Sequence, residues 1–242
     1  MSKKESRQFH ISVEGINCEK LHFEHLAKLI NESGRNTYNL KVDPRKMSPM
    51  EYAKRNAHKP VEKRKGNKKI PYIHIQDIED YYDDFQRRKF YGMIDEMRTA
   101  ENKFGITYEL GYSNYTFELW MLLHVADMTY AVQDRHSYLV PVNRWFHRNY
   151  ANIDEFKNHD EFQRILDEYV TLNSIKQAIR RAEGIVHNNS EDRKFKEIYH
   201  GFAFVVPQIK RNSILHIIRD CFCDVSMNNS RLFDADSALY FI

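Results

Sequence analysis

The first half of the chain switches repeatedly between two hydrophobic periods. Runs in which apolar residues alternate with polar ones predict β-strands over residues 9–13, 37–42, 70–75 and 106–110. Stretches with an apolar residue every three or four positions predict helices over residues 19–31, 85–104 and a short segment from 49. From Tyr115 onward the period is helical, over residues 117–125, 153–169, 172–187 and 213–224.

Local signals support several of these boundaries. Ser48-Pro49-Met50-Glu51 has the pattern of a capping box with proline at the first helical position, so a helix should begin there. Gly105 follows the last apolar position of the long helix and predicts its end.

Alternation of strand and helix is typical of a parallel sheet covered by helices. We therefore predict an α/β fold with a small, mostly parallel sheet flanked by helices and with additional C-terminal helices. Residues 1–128 are expected to form one domain, and residues 129–242 a helical extension packed on the same domain.

Charge is distributed unevenly, although the 242-residue chain carries a net charge of only +3. Residues 41–69 hold eleven Lys or Arg and three acids, a net +8, which leaves −5 for the remainder. A basic segment can contact a phosphate backbone. The candidate nucleic-acid-binding residues are Lys63, Arg64, Lys65, Lys68 and Lys69. The alternative is a solvated, lysine-rich linker.

Carboxylates follow two of the predicted strands. Glu14 and Gly15 come directly after residues 9–13, and Asp77 and Glu79 open a segment with five acids in eight residues. Ligands of open α/β sheets bind beyond the carboxyl ends of the strands, so these side chains are expected to converge. Their repulsion would be relieved by a hard cation such as Mg²⁺ or Mn²⁺. The alternatives are an ordinary turn at Glu14 and a solvated acidic helix start after Asp77.

Glu118 lies inside a markedly apolar predicted helix, 117–125. A buried charge is unfavourable unless it is paired or bound to metal. Glu118 therefore either bonds locally at the helix start or joins the acidic site.

Two features bear on compartment and membrane contact. No apolar segment approaches the length of a membrane span. Three cysteines, Cys18, Cys221 and Cys223, are too few and too oddly spaced for a disulfide framework. We expect a cytoplasmic protein that does not bind membranes.

Two stretches resemble the motifs of RloB-like proteins. Val13-Glu14-Gly15-Ile16-Asn17-Cys18-Glu19-Lys20-Leu21-His22-Phe23 resembles an opening motif that reads approximately Cys-Glu-Gly-x-x-Thr-Glu-x-x-Tyr-Phe. Ser113-Asn114-x-x-Phe117-Glu118-Leu119-Trp120-x-Leu122-Leu123-His124 resembles the family's most distinctive stretch, and Asp77-Ile78-Glu79 falls on an Asp-x-Asp strand end. The resemblance is closest over residues 8–128.

This resemblance implies a divergent Toprim domain, the metal-binding fold of topoisomerases, primases and OLD-type nucleases. It implies that Glu14 is a general base or first metal ligand, that Asp77 and Glu79 form the second metal motif, and that Glu19 is a further acid of the first. Glu79 stands where aspartate is expected, so Asp80 is an alternative ligand. The expected metal ligands are thus Glu14, Glu19, Asp77, Glu79, Asp80 and Glu118, with Glu14, Asp77 and Glu79 catalytic.

The expected function is that of a Mg²⁺-dependent nuclease, a hydrolase of DNA or RNA that acts as the toxic effector of an antiphage, abortive-infection system. The alternative is a non-catalytic module that binds nucleic acid or regulates a defence ATPase. The resemblance implies an ATPase partner from the same locus, or a homodimer, contacted through residues 140–240. Six aromatic residues there indicate either an interface or a helical core: Trp145, Phe146, Tyr150, Phe156, Phe162 and Tyr169.

Overall fold

The computed structural model describes residues 5–33, 38–56, 72–77, 83–113, 116–128 and 134–189. The strands are β1 (Glu5–Val13), β2 (Tyr38–Lys46), β3 (Tyr72–Asp77) and β4 (Tyr108–Ser113). The helices are α1 (Cys18–Glu32), α2 (Pro49–Asn56), α3 (Asp84–Phe104), α4 (Glu118–Leu123), α5 (Leu139–Trp145), α6 (Ile153–Phe156), α7 (His159–Tyr169) and α8 (Leu172–Asn189). A short 3₁₀ turn, Arg135–Tyr138, precedes α5.

The four strands form one sheet in the order β2-β1-β3-β4. All three pairings are parallel, which confirms the predicted α/β class and its small sheet flanked by helices. The chain moves from β1 outward to β2 on one side and from β3 outward to β4 on the other. The carboxyl ends of β1 and β3 therefore flank the point where the strand order reverses, which is where open α/β sheets bind ligands.

Alternating side chains give the sheet two different faces. Ile11, Val13, Ile73 and Ile75 point into a core that continues through buried residues of α1, α4, α5, α7 and α8. Tyr72, Tyr108, Leu110 and Tyr112 point the other way and pack with residues of α2 and α3. The helices after β4 thus cover one face of the sheet, while α2 and α3 cover the other.

The local signals at two helix ends act as predicted. Ser48 and Glu51 form the reciprocal capping box, with Ser48 N donating to Glu51 Oε2 at 3.2 Å and Glu51 N donating to Ser48 Oγ at 3.3 Å. Gly105 ends α3 in the left-handed conformation, with φ of 61°.

The helical region after β4 differs from the prediction in two respects. The single helix predicted over residues 153–169 is two helices, because the Asn158 side chain accepts hydrogen bonds from the backbone N–H groups of Asp160 and Glu161 and starts α7 afresh. The 3₁₀ turn and α5 were not predicted. The helix predicted over residues 213–224 lies outside the described residues.

The aromatic residues of this region are explained by packing. Phe146, Phe156 and Phe162 are fully buried. Trp145, Tyr150 and Tyr169 are partly buried and pack against the same core. The core alternative is therefore confirmed, and the expected contact surface loses its supporting observation. No helix in the described part of the chain is long and apolar enough to cross a membrane.

Three histidines are buried in the core between α1, α4 and α7. His124 Nδ1 donates to the Trp120 carbonyl at 2.9 Å, and His22 Nε2 accepts from Trp120 Nε1 at 3.1 Å. His25 Nε2 lies 3.0 Å from the Val170 carbonyl. Burial lowers the pKa of His124 to about 4, and burial together with the neighbouring histidines lowers the pKa of His22.

These lowered pKa values predict a loss of stability in acid. Because the unfolded chain binds protons to histidine below pH ~6.5 and folded His124 does not until about pH 4, the free energy of unfolding falls as pH drops through that window. His124→Asn keeps a donor for the Trp120 carbonyl. Between pH 7 and 4.5, we expect its free energy of unfolding to fall by about 2–3 kcal/mol less than that of the parent. Urea unfolding at both pH values measures this difference, and equal losses would contradict it.

Candidate metal and catalytic site

Glu14 lies directly after β1 and joins three elements at the carboxyl edge of the sheet. Its backbone N–H donates to the Ile75 carbonyl at 3.1 Å, which continues the β1–β3 pairing. Its Oε2 accepts from the side-chain amide of Gln76 and from the backbone N–H of Asp77 at 3.3 Å. Its Oε1 lies 2.6 Å from Lys89 Nζ on α3. Strand, sheet edge and helix therefore fix the position of this carboxylate.

Asp77 ends β3 on the side of the sheet that α1 and α4 cover. Its Oδ2 accepts from the backbone N–H of Phe117 at 3.3 Å, while its Oδ1 is buried without a hydrogen-bond partner. Burial raises the pKa of Asp77, and the charges of Glu19, Glu118 and Glu14 raise it further. The Asp77 backbone N–H also donates to Glu14 Oε2 at 3.3 Å, so the two residues are neighbours at the sheet edge, and their shared role as metal ligands stays a prediction.

Glu19 lies in the first turn of α1, and its side chain folds back over Gly15. A Cβ atom placed on Gly15 would collide with the Glu19 carboxylate, so this approach requires glycine. Burial raises the pKa of Glu19, and the charge of Glu118 adds to the effect. The Glu-Gly pair after β1 thus makes room for a second acid.

Glu118 joins the acidic site and also binds a lysine from the helical region after β4. It is 2% exposed, its Oε1 lies 2.7 Å from Lys157 Nζ, and its Oε2 is buried without a partner. Burial alone would lower the pKa of Lys157, but the charge of Glu118 and the hydrogen bond to it outweigh burial and raise the pKa. Lys157 was not identified from the sequence, because a lysine within the helix predicted over residues 153–169 looks like an ordinary exposed residue.

A buried chain of hydrogen bonds leads to Glu14 from inside the sheet. Ser12 Oγ lies 2.7 Å from His74 Nδ1, and His74 Nε2 lies 3.3 Å from Gln76 Oε1. Because Gln76 Oε1 can only accept, His74 carries its proton on Nε2 and Ser12 donates to Nδ1. Burial lowers the pKa of His74 to about 4, which keeps the ring neutral. One feature of the sequence could have revealed this hydrogen-bond chain: His74 and Gln76 are polar residues two positions apart in an otherwise apolar strand.

Other predicted site residues lie elsewhere. Glu79 and Asp80 are outside the described residues, as are the basic residues Lys63, Arg64, Lys65, Lys68 and Lys69. Asp83 caps α3 by accepting from Phe85 N at 2.9 Å and Gln86 N at 2.8 Å, and Asp84 pairs with Arg87. These last two acids of the segment therefore form the start of α3.

The types of donor atom at the site, but not their arrangement, suit a hard cation. Glu14, Glu19, Asp77 and Glu118 supply carboxylate oxygens, and Asp77 Oδ1 and Glu118 Oε2 accept no hydrogen bond from the described residues. Within the described ranges, no three His, Cys, Asp or Glu residues are arranged closely enough to hold a metal ion. Lys89 and Lys157 supply positive charge to Glu14 and Glu118.

The fold and site define an α/β protein with buried carboxylates at the switch point of a parallel sheet. The model of the family described as RloB-like protein matches residues 9–207. The chain belongs to the RloB-like family, as its two motif stretches predicted. No curated protein matches it.

Divalent cations are predicted to raise thermal stability through Asp77. The raised pKa of Asp77 means that its ionised form is disfavoured in the fold, so its contribution to stability falls as pH rises above ~3.8 through the folded pKa. Mg²⁺ at 100 times its Kd should add about 2.7 kcal/mol. Asp77→Asn should raise Tm in chelator by a few degrees, ~2–4 °C per kcal/mol, and should abolish the Mg²⁺ response. Scanning calorimetry at pH 7.5 tests both, and a parent Tm indifferent to Mg²⁺ and Mn²⁺ would count against the site.

Gly15→Ala is predicted to separate metal binding from stability. The new methyl group meets the flexible end of Glu19, so the free energy of unfolding should change by less than about 1 kcal/mol. The displaced Glu19 carboxylate should nevertheless weaken the Mg²⁺ response of Tm. Glu19→Gln is the matched comparison, and an unchanged Mg²⁺ titration in both variants would remove Glu19 from the site.

Proposed function

We propose that the chain is a metal-dependent nuclease that hydrolyses phosphodiester bonds. The observation that carries the proposal is the set of carboxylates around the switch point: Asp77 donates its backbone N–H to Glu14, Glu19 folds over Gly15, and buried oxygens of Asp77 and Glu118 accept no hydrogen bond from the described residues. Packing alone does not explain several mutually repelling carboxylates at a ligand-binding position.

Asp77, Glu19 and Glu118 would have to move closer together to hold the cation, because the described residues contain no ready group of three ligands. When bound, the cation would act as a Lewis acid on the phosphate. Glu14 would accept the proton of the attacking water at Oε2 or Oε1. The Gln76 amide and Lys89 orient that carboxylate, and the neutral ring of His74 fixes the orientation of Gln76. Lys89 would also lie beside a phosphate bound at Glu14, because it already contacts that carboxylate.

Membership of the RloB-like family supports a defence role, because the resemblance implies antiphage loci that often encode an ATPase. In this proposal the chain is the toxic effector, and an ATPase partner restrains or activates it. DNA and RNA, including tRNA, remain alternative substrates of the same chemistry.

A second candidate function is a non-catalytic module that binds nucleic acid or regulates the ATPase. The observation that favours it is the pairing of site carboxylates with lysines, Glu14 with Lys89 and Glu118 with Lys157. A site balanced by its own lysines can be stable without a cation.

Glu14→Gln is predicted to abolish cleavage while the fold is kept. The amide is nearly isosteric but cannot accept the proton, so cleavage rates should fall at least ~100-fold. The purified parent and variant are incubated with single-stranded DNA, duplex DNA, single-stranded RNA and tRNA in Mg²⁺ or Mn²⁺, and products are resolved on denaturing gels. Glu24→Gln, on the exposed side of α1, is the matched control.

Two results would contradict this assignment. Cleavage retained by Glu14→Gln would show that Glu14 is not the base. An inactive parent that nonetheless binds nucleic acid would favour the second candidate function.

A further inference from the structure

A pocket of about 590 Å³ opens beside Glu14, on the face of the sheet covered by α2 and α3. Met47 and Pro49 form one wall, and Gly92 and Met93 of α3 form another. His74 and Gln76 of β3 line it at the sheet. The volume falls within the range of pockets that enclose small organic ligands, and the Glu14 carboxylate connects it to the candidate site.

Gly92 is anomalous in its helix. It lies in the middle of the 21-residue α3, where glycine is less stable than alanine. Neither backbone nor packing requires it, because the positive-φ glycine among the described residues is Gly105 and a Cβ on Gly92 would meet nothing within 4 Å. A side chain there would project into open space at the pocket, so glycine keeps that space clear.

The charges at the pocket decide which part of a ligand fits. Three carboxylates, Glu14, Glu51 and Glu96, line it with two lysines, Lys46 and Lys89. This excess of negative charge does not suit a phosphate group. A planar, uncharged ring with polar edges suits it better, because the methionine and proline side chains can pack on the ring faces while carboxylates can accept from amino groups at the ring edge.

We propose that this pocket receives the base and sugar of one unpaired nucleotide whose phosphate lies outside the pocket, beside Glu14. The inference rests on the proposed function and names its substrate class: a strand with an unstacked nucleotide rather than a continuous duplex. Lys46 and Lys89, at the rim near Glu14, contact the phosphates on either side. A single nucleotide could arrive as part of a strand or as a free nucleotide, and the chemistry of recognition is the same.

The test is a binding assay that does not require cleavage. Fluorescence anisotropy follows ten-nucleotide single strands of DNA and RNA, and a blunt duplex of the same sequence, with Ca²⁺ in place of Mg²⁺. Gly92→Leu fills the pocket and should weaken single-strand binding at least tenfold, whereas Gly92→Ala should change it less than twofold. Gly184→Leu in α8 is the control, because Gly184 also meets nothing within 4 Å but does not line the pocket. Met47→Trp, on the opposite wall, is a second filling variant.

Methyl spectra of ¹³C-methionine protein locate the ligand. The signals of Met47 and Met93 should shift with single strand, and that of the fully buried Met121 should not. Adenosine and cytidine monophosphates are titrated in parallel. Equal affinity for monophosphate and strand would identify a free nucleotide as the occupant and would overturn the strand inference.

Outcomes separate this inference from the nuclease proposal. If the parent does not cleave but filling the pocket still weakens strand binding, the pocket inference stands without the nuclease. If the parent cleaves and both filling variants bind single strands as the parent does, the nuclease stands and the pocket inference is overturned. Absence of strand binding by the parent, or equal binding of duplex, also overturns it.

Discussion

Repulsion among buried carboxylates is the constraint on which the rest of the structure depends. Asp77 and Glu19 have raised pKa values, because burial and neighbouring charges both disfavour their ionised forms. The fold opposes this with lysines from distant segments, Lys89 of α3 and Lys157 after α6. The helical region after β4 is therefore an electrostatic part of the sheet-edge site as well as a cover for its core.

Features set by neighbouring residues could be predicted from the sequence. The capping box at Ser48, the αL glycine at Gly105 and the alternation that defines β1 and β3 each act within a few positions, so pattern and structure agree. The parallel order of strands then places Glu14 and Asp77 together without any knowledge of side-chain contacts. The neighbouring positions of these two residues could be predicted from the sequence for this reason, whereas their role as a metal and catalytic site stays a prediction.

What could not be predicted arises from contacts between segments far apart in the chain. The hydrophobic periodicity around Lys157 does not indicate that it meets Glu118, because the two residues lie in separate elements that are brought together only by the tertiary fold. The aromatic residues Phe146, Phe156 and Phe162 read equally well as interface or core until their burial is known. The break before α7 was hidden because apolar periodicity continues across Asn158, whose cap restarts the helix.

The ion pair between Glu118 and Lys157 has a thermodynamic consequence. If Glu118 held a metal cation, that cation and Lys157 Nζ would compete for the same carboxylate. Binding of the cation would then weaken the ion pair, and the ion pair would weaken binding of the cation. Such coupling is reciprocal by linkage. Any protein that pulls the α6–α7 turn away from α4 would then alter cation affinity at a distance, and cation binding would loosen that turn by the same free energy. Through this ion pair, the position of the helical region would affect how strongly the sheet edge binds a cation.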